Sequence, residues 1–146
     1  MAHAGQSTWP AAFHATLHCA TGCVAGEITG LAIGVSLGWP VLASMALAVV
    51  LAFVFGLSLA TFPLARREGI APLAALKMIW LGESVSIATM EIVMNAVDYW
   101  LGGASAGSVF SSTFWIALAV AIPVGFAATL PVNYVMIRRG LGNHAH

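Results

Sequence analysis

Charge is the scarcest property of this chain. Of 146 residues, five are Lys or Arg and five Asp or Glu, 7% in all, and they cancel to a net charge of zero. Nucleic-acid binding, which needs a basic stripe to meet phosphates, is excluded on that ground. Cysteine is nearly as rare. Cys19 and Cys23 alone cannot form a disulfide framework, and their close spacing points to a local site rather than to a staple. The chain also lacks a phosphate-binding loop, a Ser/His/Asp arrangement and the paired Glu-x-x-His motifs of a di-iron bundle, so the reading leans away from an enzyme. A Cys-x-x-Cys-His run is missing too, which excludes ordinary covalent haem attachment. What is abundant is apolar: 60% of residues are hydrophobic and mean hydropathy is +0.95. Neither a soluble domain nor a disordered tail has that composition, and the class is an integral membrane protein.

Four apolar stretches, at about residues 11–37, 41–63, 73–98 and 111–137, are each long enough to cross roughly 30 Å of hydrocarbon at about 1.5 Å per residue. Ser7 and Thr8 are placed to cap the first, with Pro10 in its opening turn and Trp9 at the interface. Gly38-Trp39-Pro40 turns the chain, and the second stretch ends in Arg66-Arg67-Glu68-Gly69. Pro72 opens the third stretch, and Tyr99 and Trp100 close it before a Gly/Ser-rich loop from Gly102 to Ser108. After the fourth, Gly140 is read as a C-cap behind Arg138 and Arg139. All the basic residues, Arg66, Arg67, Lys77, Arg138 and Arg139, fall at one end of these spans. The positive-inside rule then sets both termini in the cytoplasm. A cleaved signal peptide does not fit, because the first apolar region is too long, begins without Lys or Arg, and carries His, Cys and Glu. The expected fold is all-α: residues 1–146 form a single integral-membrane domain, a compact four-helix bundle of two hairpins.

Polar groups within the spans carry the functional information. An ionisable side chain at mid-span costs about 2.5 to 3.5 kcal/mol on insertion scales, so each one must face protein, water or an ion. On the first span Cys19, Cys23 and Glu27 share a sector about 80° wide at 100° per residue. Gly22, Gly26, Gly30 and Gly34 form an overlapping row that lets another backbone approach closely. On the third span Glu83, Met90, Glu91, Met94, Asn95 and Asp98 occupy an arc of about 140°. Matching depths by helical rise predicts two tiers: His18, Cys19, Cys23 and Glu83 in one, and Glu27, Met90, Glu91 and Met94 in the other. His14 is assigned to the interface, and Asn133 and Tyr134, just after Pro131, to an entrance at its level. Pro123 and Pro131 are expected to kink the fourth span.

Thiolate and thioether donors select soft ions, above all Cu(I), and imidazole accepts copper or zinc. A Cys four residues before another on a helix puts two sulfurs on one side, whereas a disulfide there would be strained. Zinc could be held by the two Cys, a His and a Glu. Plainer readings stand beside these: cysteines filling a gap as small hydrophobes, Met90 and Met94 packing, His18 bonded to a carbonyl, and protonated carboxyls paired across helices. His3, His144 and His146 add imidazoles at the termini, a weak metal-handling feature or none.

The run His18-Cys19-x-x-Gly22-Cys23-x-x-Gly26-Glu27, the segment Met90-Glu91-x-x-x-Asn95, and the ending Pro131-Val132-Asn133-Tyr134 followed by Arg138-Arg139-Gly140 together resemble the bacterial and archaeal family called domain of unknown function 4396. The resemblance covers nearly the whole chain, and the His-Cys-x-x-x-Cys-x-x-x-Glu run is its most specific part. It implies a small four-span protein of the cytoplasmic (inner) membrane with no settled activity. From the residues themselves, the expected role is metal binding, Cu(I) first, in handling or transfer of the ion. Cys19 and Cys23 would be ligands, His18, Met90 and Met94 secondary ligands, and Glu27, Glu83 and Glu91 would balance charge, carry protons or complete coordination. Two rivals are a proton-coupled carrier for a small solute and a non-catalytic subunit docking its glycine row on another membrane protein. Electron transfer through copper or a His-ligated haem is a further alternative. Four spans leave little room for a channel, so a homo-oligomer is expected.

Overall fold

The computed structural model describes residues 4–140, with side chains from residue 8 onward; His3, Asn143, His144 and His146 lie outside the described residues. The fold is all-α, with four helices: α1 (Ala4–Ser36), α2 (Val41–Glu68), α3 (Pro72–Leu101) and α4 (Ser112–Arg138). Each is long and apolar enough to cross a membrane, which suggests a multi-pass membrane protein.

The helix ends differ from the sequence expectation where water can replace lipid. Helix α1 begins at Ala4, so Ser7 and Thr8 lie inside it instead of capping it, and Pro10 is internal. The carbonyl that Pro10 frees, that of Gln6, lies within the first turn of the helix. Helix α2 likewise runs on through Pro63 and both arginines to Glu68. Arg66, Arg67 and Glu68 are exposed, so the backbone stays helical there without burying charge. Gly69 stops it with φ 66°, its N–H donating to the Ala65 carbonyl, and Gly102 stops α3 in the same left-handed way. At the start of α4 the Ser111 hydroxyl accepts from the Thr113 N–H at 3.2 Å. Arg139, not Gly140, takes the capping position at its end, with Gly140 one residue beyond at φ 74°.

Helix α1 packs most extensively on α2, and α3 on α4, as two hairpins. They close against each other through α1–α4 and α2–α3, and α1 also touches α3 across the short diagonal of the bundle. The α1–α2 seam shows why the hairpin forms. Gly22, Gly26, Gly30 and Gly34 meet Gly56, Ala52, Ala48 and Ser44 in antiparallel register, the first three backbone on backbone and Gly34 against the Ser44 side chain. The glycine row is therefore taken up within the chain by α2. Exposed apolar side chains such as Leu42, Val50 and Phe62 cover the other side of α2.

Three buried clusters run along the bundle. Ala60, Leu64, Ala65, Ala75 and Ile79 join α2 to α3 at the arginine-bearing end. Leu31, Ala48, Ala104, Phe114 and Leu118 fill the opposite end, beneath the loop that follows α3. Between them Cys19, Cys23, Ile87, Met90, Met94 and Ala121 form the middle layer. Gly125 makes room for that layer, because a Cβ there would come within 2.6 Å of the Met94 Cγ.

Candidate functional site

The middle layer is where polar groups accumulate. The 100° helical step puts Cys19, Cys23 and Glu27 on the α1 face that turns toward α3, and all three are buried. The two thiols are free, with their sulfurs 3.7 Å apart, at the separation of an S–H···S contact. From α3, Glu91 comes close enough to Cys23 and Glu27 to interact with both electrostatically. Asn95, one turn further along α3, is the hub. Its amide donates to Glu27 Oε2 at 3.1 Å, to Glu91 Oε2 at 3.3 Å and to the Glu91 carbonyl at 2.9 Å.

The acids outnumber the donors that serve them. Glu27 is fully buried and Glu91 is 1% exposed, yet the Oε1 atom of each meets no donor, nor does Asn95 Oδ1. A proton shared between the two carboxyls can serve one oxygen of each and still leaves Asn95 Oδ1 unserved. Asp98, nearer the loop end, is also fully buried. It lies close enough to Glu27 to interact with it electrostatically, and Gly103 of the loop packs directly on its carboxyl.

A second polar group ties three helices together toward the arginine-bearing end. Asn133 of α4 donates to the Thr16 hydroxyl of α1 at 2.8 Å and accepts from the Ser86 hydroxyl of α3. Its neighbour Tyr134 stacks on Trp9, with ring centroids 4.0 Å apart, and Arg138 lies over the same tyrosine ring. Thr16 and Ser86 gave no sequence signal, because a lone hydroxyl in an apolar helix ordinarily bonds its own backbone, as Thr129 does to the Gly125 carbonyl. Asn133 was visible as a polar residue in an apolar span, but its partners were not.

The expected site residues fall into two sets. Cys19, Cys23, Glu27, Glu91, Met90 and Met94 come together in the middle layer, with the thioethers in the same buried cluster as the thiols. The two expected tiers thus adjoin, with Cys23 and Glu91 close enough to interact electrostatically. Glu83 is buried about 12 Å further along α3 from Glu91 by helical rise, and His18 is half-buried beside Cys19 in sequence. Among the described residues no three His, Cys, Asp or Glu side chains are grouped so as to hold a metal ion.

These features define a class: a four-helix protein of the multi-pass membrane type with thiols and carboxyls enclosed where two of its helices cross. Residues 8–142 match the family described as a domain of unknown function (DUF4396), and the chain belongs to that family. No curated protein and no solved structure matches it.

Proposed function

We propose that the protein binds a soft metal ion, Cu(I) in the first place, at the Cys19/Cys23 thiol pair, and handles or transfers that ion within the bilayer. The observation that carries this reading is the pair of buried, free sulfurs 3.7 Å apart. Metal–sulfur bonds of about 2.3 Å in a tetrahedral arrangement put two ligand sulfurs about 3.8 Å apart, so the pair needs almost no movement to chelate. Met90 and Met94, buried in the same cluster, complete a set of two thiols and two thioethers, the donor set that favours Cu(I) over zinc. Glu91 and Glu27, held together by the Asn95 amide, would take the two protons that the ligating thiols must release. His18 and Glu83 would serve the approach to the pair from the arginine-bearing end. On this reading that end and both termini face the cytoplasm of a bacterial or archaeal cell, in its inner membrane.

The test is a titration of the purified, reduced protein with Cu(I) against a competing chromophoric chelator, with the Cys19→Ser/Cys23→Ser double variant as control. The expected result is near-stoichiometric copper in the native protein and its loss in the variant. Equal, negligible metal in both would refute the proposal.

One observation favours a second reading. The hydrogen-bonded Glu27–Asn95–Glu91 group, with Asp98 beyond it, is a line of buried acids of the kind that carries protons in membrane carriers. A proton-coupled carrier for a small solute would show pH-gradient-driven uptake in vesicles, altered by Glu91→Gln, with no bound metal.

A further inference from the structure

The corner where α2 gives way to α3 joins exposed charge to an apolar groove. Arg66, Arg67 and Lys77 stand there against a single acid, Glu68, and all four are exposed. Arg67 engages Glu68 at 3.5 Å, whereas Arg66 has no ion-pair partner among the described residues. The corner is hollowed beside Arg66: Phe62, Ala65, Gly69, Ile70 and Pro72 complete a depression of about 570 Å³. Phe62 and Pro72 also line a groove of about 480 Å³ that leads away from the charges, with Phe53 and Leu57 of α2 on one side and Leu73 and Leu76 of α3 on the other. From Phe62 to Phe53 the groove follows α2 for roughly 13 Å by helical rise. On the other flank of Phe62, itself 55% exposed, a second hollow of about 580 Å³ is lined by Leu59, Pro63 and both arginines.

Any acyl chain can fill such a groove, but the charge at its end selects among lipids. A guanidinium without an ion-pair partner at the edge of the hydrocarbon is served best by a phosphate, which accepts two parallel N–H···O bonds from it. A zwitterionic headgroup brings a cation with its phosphate, and the bases of this corner repel that cation; an anionic headgroup brings none. The first turn of α3 holds no acid that would oppose an anion. A small soluble anion would satisfy the arginine and leave the groove unused. We propose that this corner seats one anionic phospholipid, its phosphate held by Arg66 with Arg67 beside it and its two chains astride Phe62, one of them in the α2–α3 groove. The proposal needs only a multi-pass membrane protein and is independent of metal binding.

Native mass spectrometry of the full chain in detergent tests it, with an equimolar mixture of dioleoyl phosphatidylglycerol and dioleoyl phosphatidylcholine as the probe. One retained phosphatidylglycerol is expected, in about fivefold or greater excess over phosphatidylcholine, since each arginine at a membrane surface contributes about that factor. Arg66→Gln should lose about that factor. Arg139→Gln, which removes the same charge from the exposed end of α4, should lose little. Leu73→Trp, at a position 63% exposed, plugs the groove and should lower phosphatidylglycerol retention several-fold with an unchanged circular dichroism spectrum. Should that variant misfold, the exposed Arg66 and Arg139 positions still carry the test. Millimolar glycerol 3-phosphate, which has the phosphate but no chain for the groove, should not displace the lipid. Equal retention of the two lipids would overturn the proposal, as would equal losses in the two arginine variants, which would mean diffuse attraction only. Full retention in a folded Leu73→Trp variant, or displacement by glycerol 3-phosphate, would also overturn it, the latter by marking a plain phosphate site.

Discussion

A single methyl group added at Gly26 should loosen the whole bundle. An ideal Cβ there lands on the Ala52 backbone N and Cα and lies 2.7 Å from the Leu51 carbonyl carbon. Ordinary carbon contacts need about 3.5–4.0 Å, so α1 and α2 must part by about 1 Å at that level. The obstacle is main chain, which cannot rotate away. Because the seam is rigid and continuous, the gap spreads to Gly22–Gly56 and Gly30–Ala48 on either side. A gap of 0.5–1 Å forfeits a quarter to a half of each dispersion well, and overpacking of this kind costs about 1–3 kcal/mol. Helix propensity works in the opposite direction, favouring Ala over Gly by about 1 kcal/mol, so a net loss near 2 kcal/mol would be the signature of a strong steric term. Gly56→Ala is the informative comparison. Its Cβ meets only the end of the flexible Ile87 side chain, at 2.8 Å, so the cost should be about 1 kcal/mol or less. Gly107→Ala, which points into open space, should be near neutral. Unfolding by increasing SDS in mixed micelles, followed by tryptophan fluorescence and circular dichroism, gives the three values on one scale. If Gly26→Ala unfolds within about 0.5 kcal/mol of Gly107→Ala, the backbone-on-backbone account of the seam is wrong.

Other outcomes follow from the same contacts. Asn95→Leu removes the donor shared by two buried carboxyls and should cost about 2 kcal/mol or more in the same unfolding assay; a neutral result would mean the acids do not rely on it. Asn133→Ala breaks the links from α4 to Thr16 and Ser86, and at about 0.6 kcal/mol for each interhelical hydrogen bond in a membrane the loss should be about 1 kcal/mol. Gly125→Ala pushes against the Met94 Cγ, a flexible neighbour, so stability should fall by about 1 kcal/mol or less. If Met94 completes the proposed copper site, the same variant should weaken Cu(I) retention against the chelator several-fold, and unchanged retention would remove Met94 from the ligand set.

The reach of the sequence can be traced through particular residues. Helical periodicity was enough to put Cys19, Cys23 and Glu27 on one face and Met90, Glu91 and Asn95 on another, because neither set is tolerated by lipid. Depth matching by helical rise put Glu27 beside Glu91, and the two carboxyls do meet through Asn95. The glycine row announced a close helix contact, but only the fold selects Gly56, Ala52, Ala48 and Ser44 as its partner. The start of α1 was misplaced for a different reason: Pro10 was read as a boundary, and near a wet helix end it is not one.

The seam between α1 and α2 bears on how the molecule can move. Glycine and alanine surrender almost no rotamer freedom when they pack, so this pair behaves as one stiff plate in which neither helix can slide past the other. The thiols ride on that plate, while Met90, Met94 and Glu91 ride on the opposite hairpin, which is joined to it by longer and more pliable side chains. Any excursion that admits or discharges a guest at the middle of the bundle therefore has to come from α3 and α4 swinging as a unit against a fixed wall.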